Sequence, residues 1–264
     1  MALDEALALS VRKGDSPPVL RLYSWSRPAV SIGAFQQIAD IDFDYCHACA
    51  IPIVRRPTGG RAILHGDELT YSFSARNEEP FSESLMDSYR KLGIAFYRCF
   101  ALIGLCCTMK SDREKGRNLM KSPLCFASTS FGEINSGGMK IIGSAQKRWN
   151  DAFLQQGSIP FSIDHKRLPA LLREPSSNGS ANTEYYVSTG LRNCLPKFDP
   201  KTLRQHLISA FEETFAVTLA ASQPSRLELE VARQLAEKYR EHPWSQVETV
   251  NILSDNRTER STPE

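Results

Sequence analysis

The 264-residue sequence predicts an α+β fold, a mixed and largely antiparallel sheet flanked by helices. Short apolar runs at strand spacing are closed by Gly, Pro and Asn, and longer stretches carry apolar residues every three or four positions. No repeated strand–helix–strand unit orders these segments, which argues against a parallel doubly wound sheet.

Leu3, Ala6, Leu7 and Val11 fall on one helical face with Asp4 and Glu5 in the opening turn, so the chain begins with an amphipathic helix that ends near Gly14. Residues 19–25 and 29–34 read as strands, Pro28 beginning the second. A helix is expected over 38–50 and a short strand over 51–55. Pro57, Thr58, Gly59 and Gly60 then break the pattern before strands at 62–65 and 69–75. Leu85, Tyr89, Leu92, Ala95, Phe96 and Phe100 predict a long core helix within 82–105. Residues 110–122 turn polar and basic and read as a mobile loop. A hairpin follows from Phe131 to Gln146, turning at Gly137 and Gly138, and another strand covers 153–161. Residues 176–183 look like an exposed linker, and helices are expected over 203–215 and 227–240. One domain over 1–245 and a polar tail over 246–264 result.

With 32 basic and 30 acidic residues, the net charge of +2 supplies no global field for nucleic acid or an anionic membrane. No apolar run approaches the roughly 18 residues that span a bilayer, and the N-terminus lacks the basic start and apolar block of a signal peptide. A cytoplasmic monomer is expected. The seven cysteines show no disulfide framework, so in a reducing compartment Cys46, Cys49, Cys99, Cys106, Cys107 and Cys194 read as structural thiols. Cys46 and Cys49 have C-x-x-C spacing, which allows a redox or zinc role, but no second ligand pair follows and no metal is predicted.

Two regions carry chemistry. In the run from Arg55 to His65, Gly59 and Gly60 let the backbone approach a ligand that any Cβ would repel, while Arg56 and Arg61 can meet an anion or a carbonyl oxygen. A plain hairpin turn with solvated arginines explains the same residues on physics alone. His65 either orients substrate or ends a strand. Cys125 stands apart because a basic segment precedes it and the Lys140 hairpin follows. Since the thiolate is the nucleophile and an ordinary thiol titrates near about 8.5, those cations could favour the reactive form. Lys140 could also contact a thioester carbonyl or relay a proton.

The run Arg55-Arg56-Pro57-Thr58-Gly59-Gly60-Arg61, with His65 closing the next strand, resembles the loop of the biotin and lipoate protein ligase superfamily. The resemblance continues from Met1 to Trp244 and includes Cys125, Glu133, the run from Gly138 to Gln146, and Leu154 to Ile159. Arg61 where a third glycine is usual, a cysteine before the Lys140 hairpin, and little chain beyond Trp244 make the sequence most similar to the cysteine-dependent octanoyltransferases. That resemblance implies a lipoate ligase-like catalytic domain in which Cys125 is the nucleophile and Lys140 its electrostatic and proton-transfer partner. Arg56, Thr58, Gly59, Gly60, Arg61, His65, Gly143, Ser144 and Ala145 would line the acyl site. It further implies octanoyl-acyl carrier protein as donor, the octanoyl group riding on its phosphopantetheine. The acceptor would be the lysine of a lipoyl domain or of the glycine-cleavage H protein. No cofactor is then required. The alternatives are an ATP-dependent lipoate or octanoate ligase and a non-catalytic acyl- or carrier-binding protein. Chains of this kind usually carry a further strand ahead of the first helix, whereas this sequence begins at Met1 within that region.

Overall fold

The computed structural model describes residues 1–109, 134–165, 167–171 and 188–241. Helix α1 (Ala2–Lys13) stops where Gly14 turns left-handed at φ 78°, with Arg12 and Lys13 in its last turn favouring the negative end of the helix dipole. After it come β1 (Val19–Tyr23), β2 (Ala29–Ile32), α2 (Phe43–Ala48), β3 (Ile53–Arg55), β4 (Ile63–His65), β5 (Glu68–Arg76) and α3 (Leu85–Leu102). Three short strands, β6 (Thr108–Met109), β7 (Ile134–Ser136) and β8 (Met139–Lys140), precede the long pair β9 (Gly143–Arg148) and β10 (Ala152–Pro160). The described chain closes with α4 (Arg167–Ala170), α5 (Leu191–Cys194), α6 (Pro200–Phe215) and α7 (Arg226–Glu241).

The main sheet runs β1-β5-β10-β9 with every pair antiparallel, and a second sheet, β3-β2-β4, contains the parallel pair β2–β3. Strand β5 is buried over most of its length on both faces, yet its faces differ. Tyr71, Phe73 and Ala75 point into an aromatic core with α3 and α6, where Phe73 meets Phe153 and Phe211, and Phe96 lies against Tyr71. The alternate residues Thr70, Ser72 and Ser74 are also buried but polar, and α1 packs across β5 and β10. This covered polar layer positions the site.

The predicted α+β architecture is present, with local differences. The helix expected over 38–50 divides into one 3-10 turn at Ile38–Asp40 and α2, because the Asp42 carboxylate accepts from the Tyr45 N–H at 2.8 Å and starts a new helix. The hairpin turns on Gly137 and Gly138 at φ 56° and 79°, but its second arm splits: Met139–Lys140 pairs with β7, whereas β9 joins the main sheet. Trp25 lies beyond the end of β1. The core helix runs Leu85–Leu102, started by Ser84, whose hydroxyl accepts from the Asp87 N–H. The loop 110–122, the linker 176–183 and the tail 246–264 lie outside the described residues. No helix among the described residues is long and apolar enough to cross a membrane.

Candidate functional site

The glycine loop is held by its own arginines. Arg55, at the end of β3, donates to the carbonyls of Gly33, Ala34 and Gln36 at 2.8, 3.2 and 2.8 Å, fixing the turn after β2. Arg56 is buried and donates to Ser31 O at 3.0 Å, Ser31 Oγ at 3.1 Å, Gly59 O at 3.1 and 2.7 Å, and Arg61 O at 2.7 Å. Its bonds therefore tie the loop to β2, which makes it a positioning group of the site. Gly60, at φ 83°, lies so close to Arg56 that a Cβ would sit 2.8 Å from its Nη2. A Cβ on Gly33 would sit 1.9 Å from the Gly60 carbonyl oxygen. Only glycines permit this approach, and Gly59 and Gly60 remain accessible at its surface.

Behind the loop, the buried His65 places Nε2 2.7 Å from Ser31 Oγ and Nδ1 2.8 Å from Glu68 Oε1, with Trp25 stacked on the ring at 4.3 Å. Both ring nitrogens thus have partners inside the protein. Ser31 is fully buried as well, so the Glu68–His65–Ser31 series feeds the Arg56 clamp rather than presenting a nucleophile. Burial pushes the Glu68 carboxyl up, but the His65 charge and hydrogen bonds from His65 and Thr70 outweigh it and hold the group below the usual carboxylate range.

Thr58 is likewise buried. Its hydroxyl donates to Gln156 Oε1 at 3.0 Å and its carbonyl accepts from the Ala34 N–H at 2.9 Å. The Gln156 amide passes on to Asp4 Oδ2 at 2.8 Å. Thr58 therefore supports the loop from beneath.

Strand β9 supplies the facing wall. Ser144 pairs with Gly157 of β10, and Ala145 Cβ lies 3.5 Å from where a Gly60 Cβ would be. A Cβ on Gly157 would meet the Tyr71 ring at 2.3 Å and Gly143 O at 2.7 Å, so β10 needs glycine here. Tyr71 OH lies 2.7 Å from Ser144 Oγ and accepts from Gln155 Nε2 at 2.8 Å. Burial pushes the Tyr71 phenol up to about 12, keeping it neutral.

Lys140 lies three residues ahead of Gly143 and is only 2% exposed. Its backbone pairs with Asn135 of β7 and bridges to Ser188, while its carbonyl accepts from the Thr189 N–H at 2.9 Å. Ile141 and Ile142, both buried, fix the strand beside it.

The structure thus gathers Arg56, Thr58, Gly59, Gly60 and Arg61 in one loop with His65 behind it and sets Ala145 of β9 against Gly60, while Gly143 and Ser144 lie on the same strand beside Gly157 and Tyr71. Cys125 lies outside the described residues. Of the other cysteines, Cys46 and Cys99 are buried, and burial pushes their thiols up to about 11 and 12; Cys49 and Cys106 are exposed, unlike the buried thiols expected. Among the described residues no three His, Cys, Asp or Glu side chains gather as a metal site.

Sequence reading missed Asp4, Ser31, Gln156, Gly33 and Gly157. Asp4 had a signal: it shares its helical spacing with Leu7, Ala8 and Val11, so it belongs to the buried face of α1. Gln156 and Gly157 stand in the run that carries the resemblance, which did not reveal their contacts, and Gly33 had no signal because its partner is distant in sequence.

The catalytic-domain model of lipoyl protein ligases A and B matches residues 1–212. The chain is 34% identical over 250 residues to octanoyltransferase LipM of Moorella thermoacetica, covering 92% of each chain. To octanoyltransferase LipM of Bacillus subtilis it is 32% identical over 256 residues, covering 93% of this chain and 92% of that one. Among solved structures, a lipoate-protein ligase A bound with ATP superposes at TM-score 0.74 with 24% identity, over 90% of this chain and 88% of that one. The bi-partite lipoate protein ligase of Thermoplasma acidophilum gives TM-score 0.75 with 24% identity, over 93% and 89%.

Proposed function

Because the chain belongs to the lipoyl protein ligase A/B catalytic domain family, we propose that it transfers an octanoyl group from octanoyl-acyl carrier protein to a protein lysine through a thioester on Cys125. It is an acyltransferase of protein lipoylation. The acceptor is the lysine of a lipoyl domain or of the glycine-cleavage H protein. The observation that carries this reading is similarity to octanoyltransferases over 92% of the chain together with a buried lysine, Lys140, on the strand that leads into the wall facing the glycine loop.

In the first step the Cys125 thiolate attacks the carrier thioester carbonyl, and the tetrahedral intermediate expels the pantetheine thiolate. In the second, the acceptor amine attacks the enzyme thioester, loses a proton, and expels the Cys125 thiolate as the amide forms. Exchange between thioesters is nearly isoenergetic and amide formation from a thioester is downhill, so neither step requires ATP. As an ammonium, the buried Lys140 would stabilise the oxyanion, and after giving up a proton it would take one back from the attacking amine. The glycine loop lets the acyl thioester lie against backbone.

Mass spectrometry of the protein mixed with octanoyl-acyl carrier protein tests this. A hydroxylamine-labile octanoyl adduct on the Cys125 peptide is expected, followed by its transfer to an added lipoyl domain and its loss in Cys125→Ser. ATP-dependent modification by free octanoate that survives Cys125→Ser would instead identify a ligase, and binding without turnover a non-catalytic acyl-binding protein.

A further inference from the structure

Asp4 lies 152 positions from Gln156 in sequence, yet they meet in the polar layer between α1 and the sheet. Its carboxylate is fully buried and receives four side chains: Arg21 Nη1 at 2.5 Å and Ser72 Oγ at 2.9 Å on Oδ1, and Tyr23 OH at 3.0 Å and Gln156 Nε2 at 2.8 Å on Oδ2. An ionised carboxylate only accepts, so Gln156 must turn its NH2 toward Asp4 and its carbonyl toward Thr58. The Thr58 hydroxyl must then donate. Thr58 O in turn accepts from the Ala34 N–H, next to Gly33, which abuts the Gly60 carbonyl.

We propose that Asp4 is a positioning residue of the acyl site: its charge sets the direction of the chain Asp4–Gln156–Thr58 and thereby holds the Gly59–Gly60 loop in the shape that receives the acyl thioester. The inference rests on the reading of that loop as part of the acyl site. The N-terminal ammonium and the Arg21 guanidinium, with the hydrogen bond from Gln156, outweigh the penalty of burial and hold the Asp4 carboxyl below its usual range. The chain therefore keeps its direction at neutral pH. With Asp4→Asn the acceptor-only group becomes an amide that can face Gln156 either way, and the Gln156 amide and Thr58 hydroxyl lose their fixed sense.

The test pairs kinetics with amide exchange in the full chain. Asp4→Asn and Thr58→Val should each raise KM for octanoyl-pantetheine about tenfold, as the loss of one well-made hydrogen bond would, with kcat within about twofold. Since both act through one chain, the double variant should show no larger rise than either single change. Exchange in the peptide spanning 57–61 should accelerate about tenfold in Asp4→Asn, with peptides of α3 unchanged. Should Asp4→Asn fold poorly, Gln156→Met removes both links at similar volume and should give the same KM and exchange changes. A fall in thermal stability with KM and loop exchange unchanged, or effects that multiply in the double variant, would overturn the proposal. Wild-type protein that forms no octanoyl adduct would overturn the functional reading alone, and the exchange measurement would still decide the role of Asp4.

Discussion

Arg56 illustrates how little a side chain's type says about its task. Adjacent arginines beside two glycines suggest an anion site, yet Arg56 spends its guanidinium on the oxygens of Ser31, Gly59 and Arg61. Behind it, Glu68 orients His65, and His65 orients Ser31. Glu68 titrates lower in the folded chain than in the unfolded one, where a glutamate titrates near about 4.3. The unfolded state therefore binds more protons as the medium becomes acid, so this contribution is complete above the unfolded value and is lost as pH falls through the lower folded value. Glu68→Gln should cost about 1–3 kcal/mol at pH 7 through the loss of a charged hydrogen-bond partner. Urea unfolding across the acid range should also show a shallower dependence on pH than in the wild type. An unchanged slope would mean that Glu68 is not held low by His65. The loop's composition was legible in the sequence; the direction of its arginines was not, because it depends on which carbonyls lack partners after folding.

At the scale of elements, alternation identified β5 and β10 and helical spacing identified α1, α3, α6 and α7, since each must bury one stripe. Two departures share a cause. Asp42 and the residues after Lys140 end one element and begin another through a local cap and a change of sheet, which periodicity alone does not report. The meeting of β2 with the glycine loop was equally hidden, because Gly33 matters only for what stands opposite it. Gly33→Ala would drive a Cβ against the Gly60 carbonyl, a backbone atom that cannot swing away. A cost of about 1–3 kcal/mol in stability is expected for such overpacking, with kcat/KM down more than about tenfold as the loop is displaced. Gly66→Ala, where an added Cβ meets nothing within 4 Å, should stay within about 0.5 kcal/mol of wild type. Equal kinetics for the two variants would refute the close-approach argument.

Across the whole molecule, the site depends on a helix at one end of the chain being pinned by a helix near the other. Helix α7 packs against α1: Tyr239 OH donates to Glu5 Oε2 at 2.6 Å, Lys238 Nζ lies 3.6 Å from Glu5, and Ser16 Oγ donates to Glu228 at 2.7 Å. Its apolar contribution is modest, since Leu235 is buried while Leu227 and Leu229 are exposed. The main core of β5, β10, α3 and α6 does not include it. A chain ending at Ser225 should therefore keep its core and unfold cooperatively, but without the Leu235 anchor and the Glu5 contacts. A loss of about 3 kcal/mol, comparable to deleting one buried leucine side chain, corresponds to a melting temperature lower by roughly 6–12 °C for a domain of this size. Because α1 carries Asp4, the proposed thioester mechanism predicts that loosening α1 also raises KM for the octanoyl thioester without abolishing the proposed Cys125 adduct. Calorimetry and steady-state kinetics on the shortened chain separate the outcomes. Collapse of the cooperative transition would place α7 within the folding core, whereas an unchanged KM would uncouple the helix pair from the loop.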